Sequence, residues 1–229
     1  MSSSGVSPEN LEKICVPPEN AENRRDAETT LVKRQGFFLP HWTMDGAIYH
    51  VVFRLRDSLP HAVLIGFQEE RDQLKRQASR GEISHELANR LDFLVSERVD
   101  AYLDAGHGEC PLKKPQAAEI VASALKHFDG DRYRLHAWAV MPNHVHVIVE
   151  PLAGHQLDKI THTWKSFTAH EINKRLRRTG EVWMKESYDH LIRNEGSYHA
   201  LVQYVLDKPT NGKLKDWKWV GRGTGVPPV

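Results

Sequence analysis

Two apolar runs only three residues apart constrain this chain more than any other feature. They are Tyr133 to Val140 (YRLHAWAV) and His144 to Glu150 (HVHVIVE), joined by Met141-Pro142-Asn143. Runs of this length, rich in β-branched and aromatic residues and split by a Pro-Asn turn, predict an antiparallel hairpin. Ala47 to Arg56 (AIYHVVFRLR) reads as an earlier strand and Glu186 to Arg193 as a short later one. Between them apolar residues recur at three- and four-residue spacing, which predicts helices over His61–Ala78, Ser84–Leu103 and Gln116–Phe128. A long basic helix is predicted from about Gln156 to Arg178, capped at Gly180, and a last one over Gly196–Lys208, stopped by Pro209. Strands joined by a hairpin and interleaved with helices define an α+β protein: one antiparallel sheet with helices packed on it.

Length and composition narrow the function. The 229 residues, 40% hydrophobic and 27% charged, suffice for one decorated domain with a real core. Two cysteines, Cys15 and Cys110, are too few for a disulfide framework or a four-cysteine zinc site, and fit a reducing compartment. The first residues lack a signal-peptide pattern, and no apolar run reaches the length of a membrane span, so neither secretion nor a membrane protein is expected. The net charge of +1 hides an asymmetry. Lys159 to Arg222 holds 13 lysines and arginines against 7 acidic residues, a surplus of six, so the rest of the chain carries −5. Such a basic third suits a polyanion partner, although a solvated basic helix has the same composition.

His144 and His146 lie two apart on a predicted strand and leave the same face, while Val145, Val147 and Val149 leave the other. Two neutral imidazoles on one face are the geometry that holds a divalent metal, and also the geometry of two ordinary satisfied histidines. On the last helix, Tyr198, Leu201, Val202 and Val205 form one apolar stripe. Tyr204 falls off it, near Ala200, Asp207 and Lys208. It is either a half-exposed surface tyrosine or a phenol aimed at a site; beside a metal-activated phosphate, a phenol is a competent nucleophile.

Three strings in order, HAWAVMPNHVHVIVEP, WKSFTAHEINKRL and VWMKESYDHLIRNEGSYHALVQYVLDKP, with YHVVFRLRDSLP upstream, closely resemble the REP-associated tyrosine transposases, the single-tyrosine branch of the HUH endonucleases. The resemblance runs from about Phe37 to Lys215. It implies a ferredoxin-like sheet and an enzyme that nicks single-stranded DNA near the hairpins formed by repeated extragenic palindromes. By the same resemblance, His144 and His146 are the pair that holds Mg²⁺ or Mn²⁺, and Tyr204 is the nucleophile that forms a 5′-phosphotyrosine and releases a 3′-hydroxyl. Lys165, Lys174, Arg175, Arg177 and Arg178 are candidates to grip hairpin phosphates. Trp164 and Trp183 are candidates to stack on an unpaired base, whereas Phe167 reads better as core.

One position departs from the family pattern. An asparagine one turn after the tyrosine is usual, and here it is Lys208, which has no lone pair to offer a metal. Asp207 or water then completes the coordination, or Lys208 contacts the phosphate, or the site is impaired. The expected organisation is a flexible arm over 1–36, a transposase domain over 37–215 with a helical insertion at about 60–115, and a tail over 216–229. A bacterial cytoplasmic protein, nucleoid-associated when bound to DNA, is expected, with monomer and homodimer both open. Histidine-triad hydrolases also carry alternating histidines on a strand, but the third histidine they need is Ile148 here. The remaining alternative is a domesticated protein that binds DNA hairpins without cutting them.

Overall fold

The computed structural model describes residues 32–35, 40–43 and 46–225. Most of the stretch expected to be a flexible arm, residues 1–31, lies outside the described residues. Just beyond it, β1 (Val32–Gln35) and β2 (Pro40–Thr43) pair antiparallel. The main sheet is built from β3 (Ile48–Arg54), β4 (Tyr133–Val140), β5 (His144–Pro151), β6 (Tyr188–Ile192) and β7 (Val220–Arg222). Its order is β6-β3-β5-β4-β7, with every neighbour antiparallel. Five helices accompany it among the described residues: α1 (His61–Ser79), α2 (His85–Asp104), α3 (Pro115–His127), α4 (Leu157–Leu176) and α5 (Glu195–Asn211).

Without β7 and the α1–α2 hairpin, the order β3-α3-β4-β5-α4-β6 places the four strands fourth-first-third-second, which is the ferredoxin-like arrangement. The α1–α2 hairpin is thus an insertion after the first strand, and α5 follows the core motif.

The sheet has two different faces. Tyr49, Val51 and Phe53 of β3 and Val145, Val147 and Val149 of β5 join Val121, Leu125, Ile160, Trp164 and Ile172 in the main core, beneath α3 and α4. On the opposite face Ala137, Ala139 and Ile148 pack under Leu201, Val202 and Val205 of α5. A register shift between Leu135 and Ala137 lets Leu135 and Trp138, three residues apart, share the main-core face. Among the described residues no helix is long and apolar enough to cross a membrane.

Several expectations need correction. Trp164 and Trp183 are core residues rather than exposed stacking platforms. Each is almost fully buried, Trp164 donating to Tyr133 Oη at 3.0 Å and Trp183 to Thr168 Oγ1 at 2.9 Å. Phe167, one turn on from Trp164 but turned outward, is 53% exposed. Helix α4 ends at Leu176 with Arg177 as a left-handed cap (φ 54°), not at Gly180. Pro209 lies inside α5, which continues to Asn211, where Gly212 N–H still reaches Lys208 O at 2.9 Å. Residues 220–222, expected in a tail, form the strand on the β4 edge. Gly221 hides that strand from propensity; a Cβ there would stand a tight 3.1 Å from the Trp138 ring.

Trp164 gives a direct check on this core. Trp164→Ala is expected to lower unfolding free energy by about 3–5 kcal/mol, read by urea denaturation. A loss within experimental error would show that the ring contributes nothing to the core.

Candidate active site

The side of the sheet away from α3 and α4 carries the polar cluster. His144 and His146 leave β5 on this face, and the register sets Arg54 opposite His144 and Val52 opposite His146. His50, two residues before Val52, joins them, its Nε2 3.0 Å from His146 Nδ1. All three imidazoles are buried. Burial pushes each below the ordinary histidine pKa, His50 to about 4, so all three are neutral at pH 7. His144 Nδ1 lies 2.7 Å from Asn143 Oδ1. An amide oxygen only accepts, so His144 carries its proton on Nδ1 and keeps a lone pair on Nε2. The Nε2 atoms of both His144 and His146 are buried with no hydrogen-bond partner.

Two helices close over this face, each through residues four apart and therefore on one side of the helix. Tyr204 and Lys208 come from α5, and Asp100 and Asp104 from α2. Tyr204 Oη donates to Asp100 Oδ2 at 2.6 Å, and Lys208 Nζ donates to Asp104 Oδ2 at 3.0 Å. The ammonium is also 3.5 Å from Asp100 Oδ2 and 4.6 Å from the Tyr204 ring centroid. Asp104 Oδ1 faces His144 Nε2 at 3.4 Å. The Tyr204 ring stands edge-on to His146 and His50, with centroids 6.0 and 6.3 Å apart. Beside them opens a cavity of about 350 Å³ between α1, α2, β3 and β6.

The charges are mutually adjusted. Burial raises the Tyr204 phenol well above its usual pKa, and the carboxylates of Asp100, Asp104 and Glu97 raise it further, so Tyr204 is a neutral phenol at rest. Burial alone would raise the Asp104 carboxyl, but the Lys208 ammonium that donates to it helps bring it below the usual value. Lys208, with only 1% of its side chain exposed, is neutralised by the two aspartates rather than left facing solvent. Lys208→Met would leave those carboxylates without their cation. Because Asp100 and Asp104 retain 24% and 21% side-chain exposure, the expected loss is about 2–3 kcal/mol, below the ~3–5 kcal/mol of a fully enclosed pair. Chemical denaturation reads it, and a change within experimental error would show the pair to be energetically idle.

The structure brings together His144, His146, Tyr204 and Lys208. Asp207 stands outside the cavity wall, its Oδ1 taken by Gln203 Nε2 at 2.9 Å. Lys174, Arg175 and Arg177 are exposed near the end of α4, and Arg178 pairs with Glu109 at 3.1 Å. Helix α4 covers the opposite face of the sheet, so this basic group is not part of the histidine–tyrosine cluster. Lys165 lies between the two regions. It donates to Lys185 O at 2.7 Å and Ser187 Oγ at 3.3 Å, burial lowers its pKa to about 8, and Ser187 also lines the cavity.

Sequence reasoning missed His50, Asp100 and Asp104. The alternation of YHVVFR carries a signal for His50, since His50, Val52 and Arg54 must share one face. Nothing local marks the aspartates, which lie 104 residues from their partners.

An α+β protein with a ferredoxin-like sheet, paired strand histidines and a helical tyrosine on one face is the class that fold and site define. Residues 112–208, which carry His144, His146, Tyr204 and Lys208, match the family described as "Transposase IS200 like". Among solved structures, a REP-associated tyrosine transposase bound to a REP hairpin is 15% identical, with 88% of this chain and 82% of that one covered and a TM-score of 0.43. A Deinococcus radiodurans protein described as a transposase is 12% identical, covering 81% of this chain and 98% of that one, with a TM-score of 0.28. No curated protein matches.

Proposed function

We propose that this protein is a metal-assisted, single-strand DNA endonuclease and strand transferase of the REP-associated type, acting on DNA hairpins through a 5′-phosphotyrosine at Tyr204. The observation that carries this reading is the meeting of His144, His146 and Tyr204 on one buried face, within the stretch that matches the transposase family. The transposase domain is read as residues 37–215, with the α1–α2 hairpin as its insertion. Lys165, Lys174, Arg175, Arg177 and Arg178 would hold the hairpin backbone away from the chemistry, and their contribution would weaken steeply with salt.

The residues fit a divalent cation, Mg²⁺ or Mn²⁺. Two neutral histidines offer buried, unpartnered Nε2 atoms, and the His144 ring is held from behind by Asn143. Asp104 Oδ1, also without a hydrogen-bond partner, is the carboxylate oxygen facing His144. Among the described residues no three such groups already stand at ligating positions, so the third ligand would come from a shift of Asp104 or from water. When bound, the cation would polarise the scissile phosphate.

The chain's own residues supply the rest. Tyr204 presents its oxygen beside the histidines, Lys208 balances negative charge next to that oxygen, and α1 and α2 limit the access of water to it. A labelled single-stranded hairpin incubated with the protein and Mn²⁺ is expected to yield a covalent adduct on a denaturing gel, and EDTA is expected to prevent it. Retained hairpin binding without any adduct would instead support the non-cutting binder.

A further inference from the structure

Tyr204 lines the cavity beside the histidines, and a phenol that attacks phosphorus needs a proton acceptor at that moment. The acceptor already in contact is a carboxylate. It is Asp100 Oδ2, 2.6 Å from Oη, carried on the inserted helix α2. We propose that Asp100 is a catalytic residue, the general base for Tyr204, so that the insertion completes the active site. This rests on the reading of Tyr204 as nucleophile given above.

In the step, a bond forms between Tyr204 Oη and phosphorus while the bond from phosphorus to the 3′-oxygen breaks. The Oη proton passes to Asp100 Oδ2, and the departing 3′-oxyanion takes a proton from water. The sum is a transesterification, with no oxidant, reductant or further reactant. A phenol becomes far more acidic as its oxygen bonds to phosphorus, which makes transfer to a carboxylate favourable only during attack. The neighbouring charges suit this order of events. Lys208 Nζ lies 3.5 Å from the same Oδ2 and stays close to the reacting oxygen through the transfer. Asp104 cannot substitute, because its Oδ2 is engaged by Lys208 and its Oδ1 faces His144.

The same contact would also arise if α2 merely plugged the site, so the test must separate a base from a plug. Asp100→Asn keeps the size and a hydrogen-bonding group but cannot take the proton. It is expected to slow adduct formation by about 10²-fold or more, with the fold and hairpin affinity retained. Replacing Tyr204 with a fluorinated tyrosine, which ionises more readily, is expected to restore part of the rate lost in Asp100→Asn. Adduct formation at or above the parent rate in Asp100→Asn overturns the proposal and marks the contact as inhibitory. Should Asp100→Asn fold poorly, the parent protein gives a second readout. Single-turnover adduct formation should slow in heavy water, and an unchanged rate there equally overturns the assignment. A parent protein that forms no adduct on Tyr204 would bring down the nucleophile reading instead.

Discussion

Tyr204→Phe is expected to abolish the covalent protein–DNA adduct completely while leaving the fold and hairpin binding in place. The change removes one oxygen and nothing else. The ring keeps its edge contacts with His50 and His146, and Lys208 still lies over its face. What disappears besides the nucleophile is one hydrogen bond to Asp100, worth about 1 kcal/mol net. Tyr198→Phe is the matched control. Its hydroxyl pairs with His136 Nδ1 at 2.9 Å, and it does not line the cavity beside Tyr204. That variant should form the adduct normally. Gel assays of the two variants against the same labelled hairpin make the comparison, and an adduct that persists in Tyr204→Phe would remove Tyr204 from the chemistry.

The second large effect is expected at the histidines. His144→Ala or His146→Ala should each eliminate nicking and sharply weaken direct Mn²⁺ binding, measured by calorimetry on protein without DNA. Each removes one of two neutral, unpartnered Nε2 donors from a site where, among the described residues, no third ligand is already in position. Both rings are buried, so some stability will be lost as well; the calorimetric readout distinguishes a lost ligand from a loosened fold. Normal cutting by both variants in Mg²⁺ would rule out the paired-histidine site.

The part of this site that the sequence makes legible is the part with local periodicity. Val145, Val147 and Val149 must face the core, so His144 and His146 must face away, and the structure has them so. Tyr204 stands off the apolar stripe of its helix for the same kind of reason, and it turns inward to a polar cluster rather than outward to solvent. Expectations failed where the deciding contact is remote. Lys208 looks from its neighbours like an exposed cation with a metal to repel. In the fold it is one of the most buried side chains, and its charge is answered by Asp100 and Asp104 from an insertion whose role no local pattern announces. The tryptophans were ambiguous because an indole suits a base stack and a core equally. Only the indole donations from Trp164 to Tyr133 and from Trp183 to Thr168 decide it. Strand β7 is three residues long with a central glycine, and only its pairing with β4 gives it form.

The insertion also changes what Lys208→Asn would mean. On an exposed helix that substitution would relieve a repelled metal, but here it also strips the cation from two aspartates. A weaker fold therefore accompanies any gain in metal affinity, and Asp104 becomes freer to turn toward His144.

The most direct measurement is to digest the protein–DNA adduct and map the modified residue by mass spectrometry, while testing whether the released DNA end can be extended by a polymerase. A 5′-phosphate ester on Tyr204 together with an extendable 3′-hydroxyl is the predicted result. An adduct on Tyr188 or Tyr198, or a tyrosine joined to the 3′ side of the break, would contradict the account.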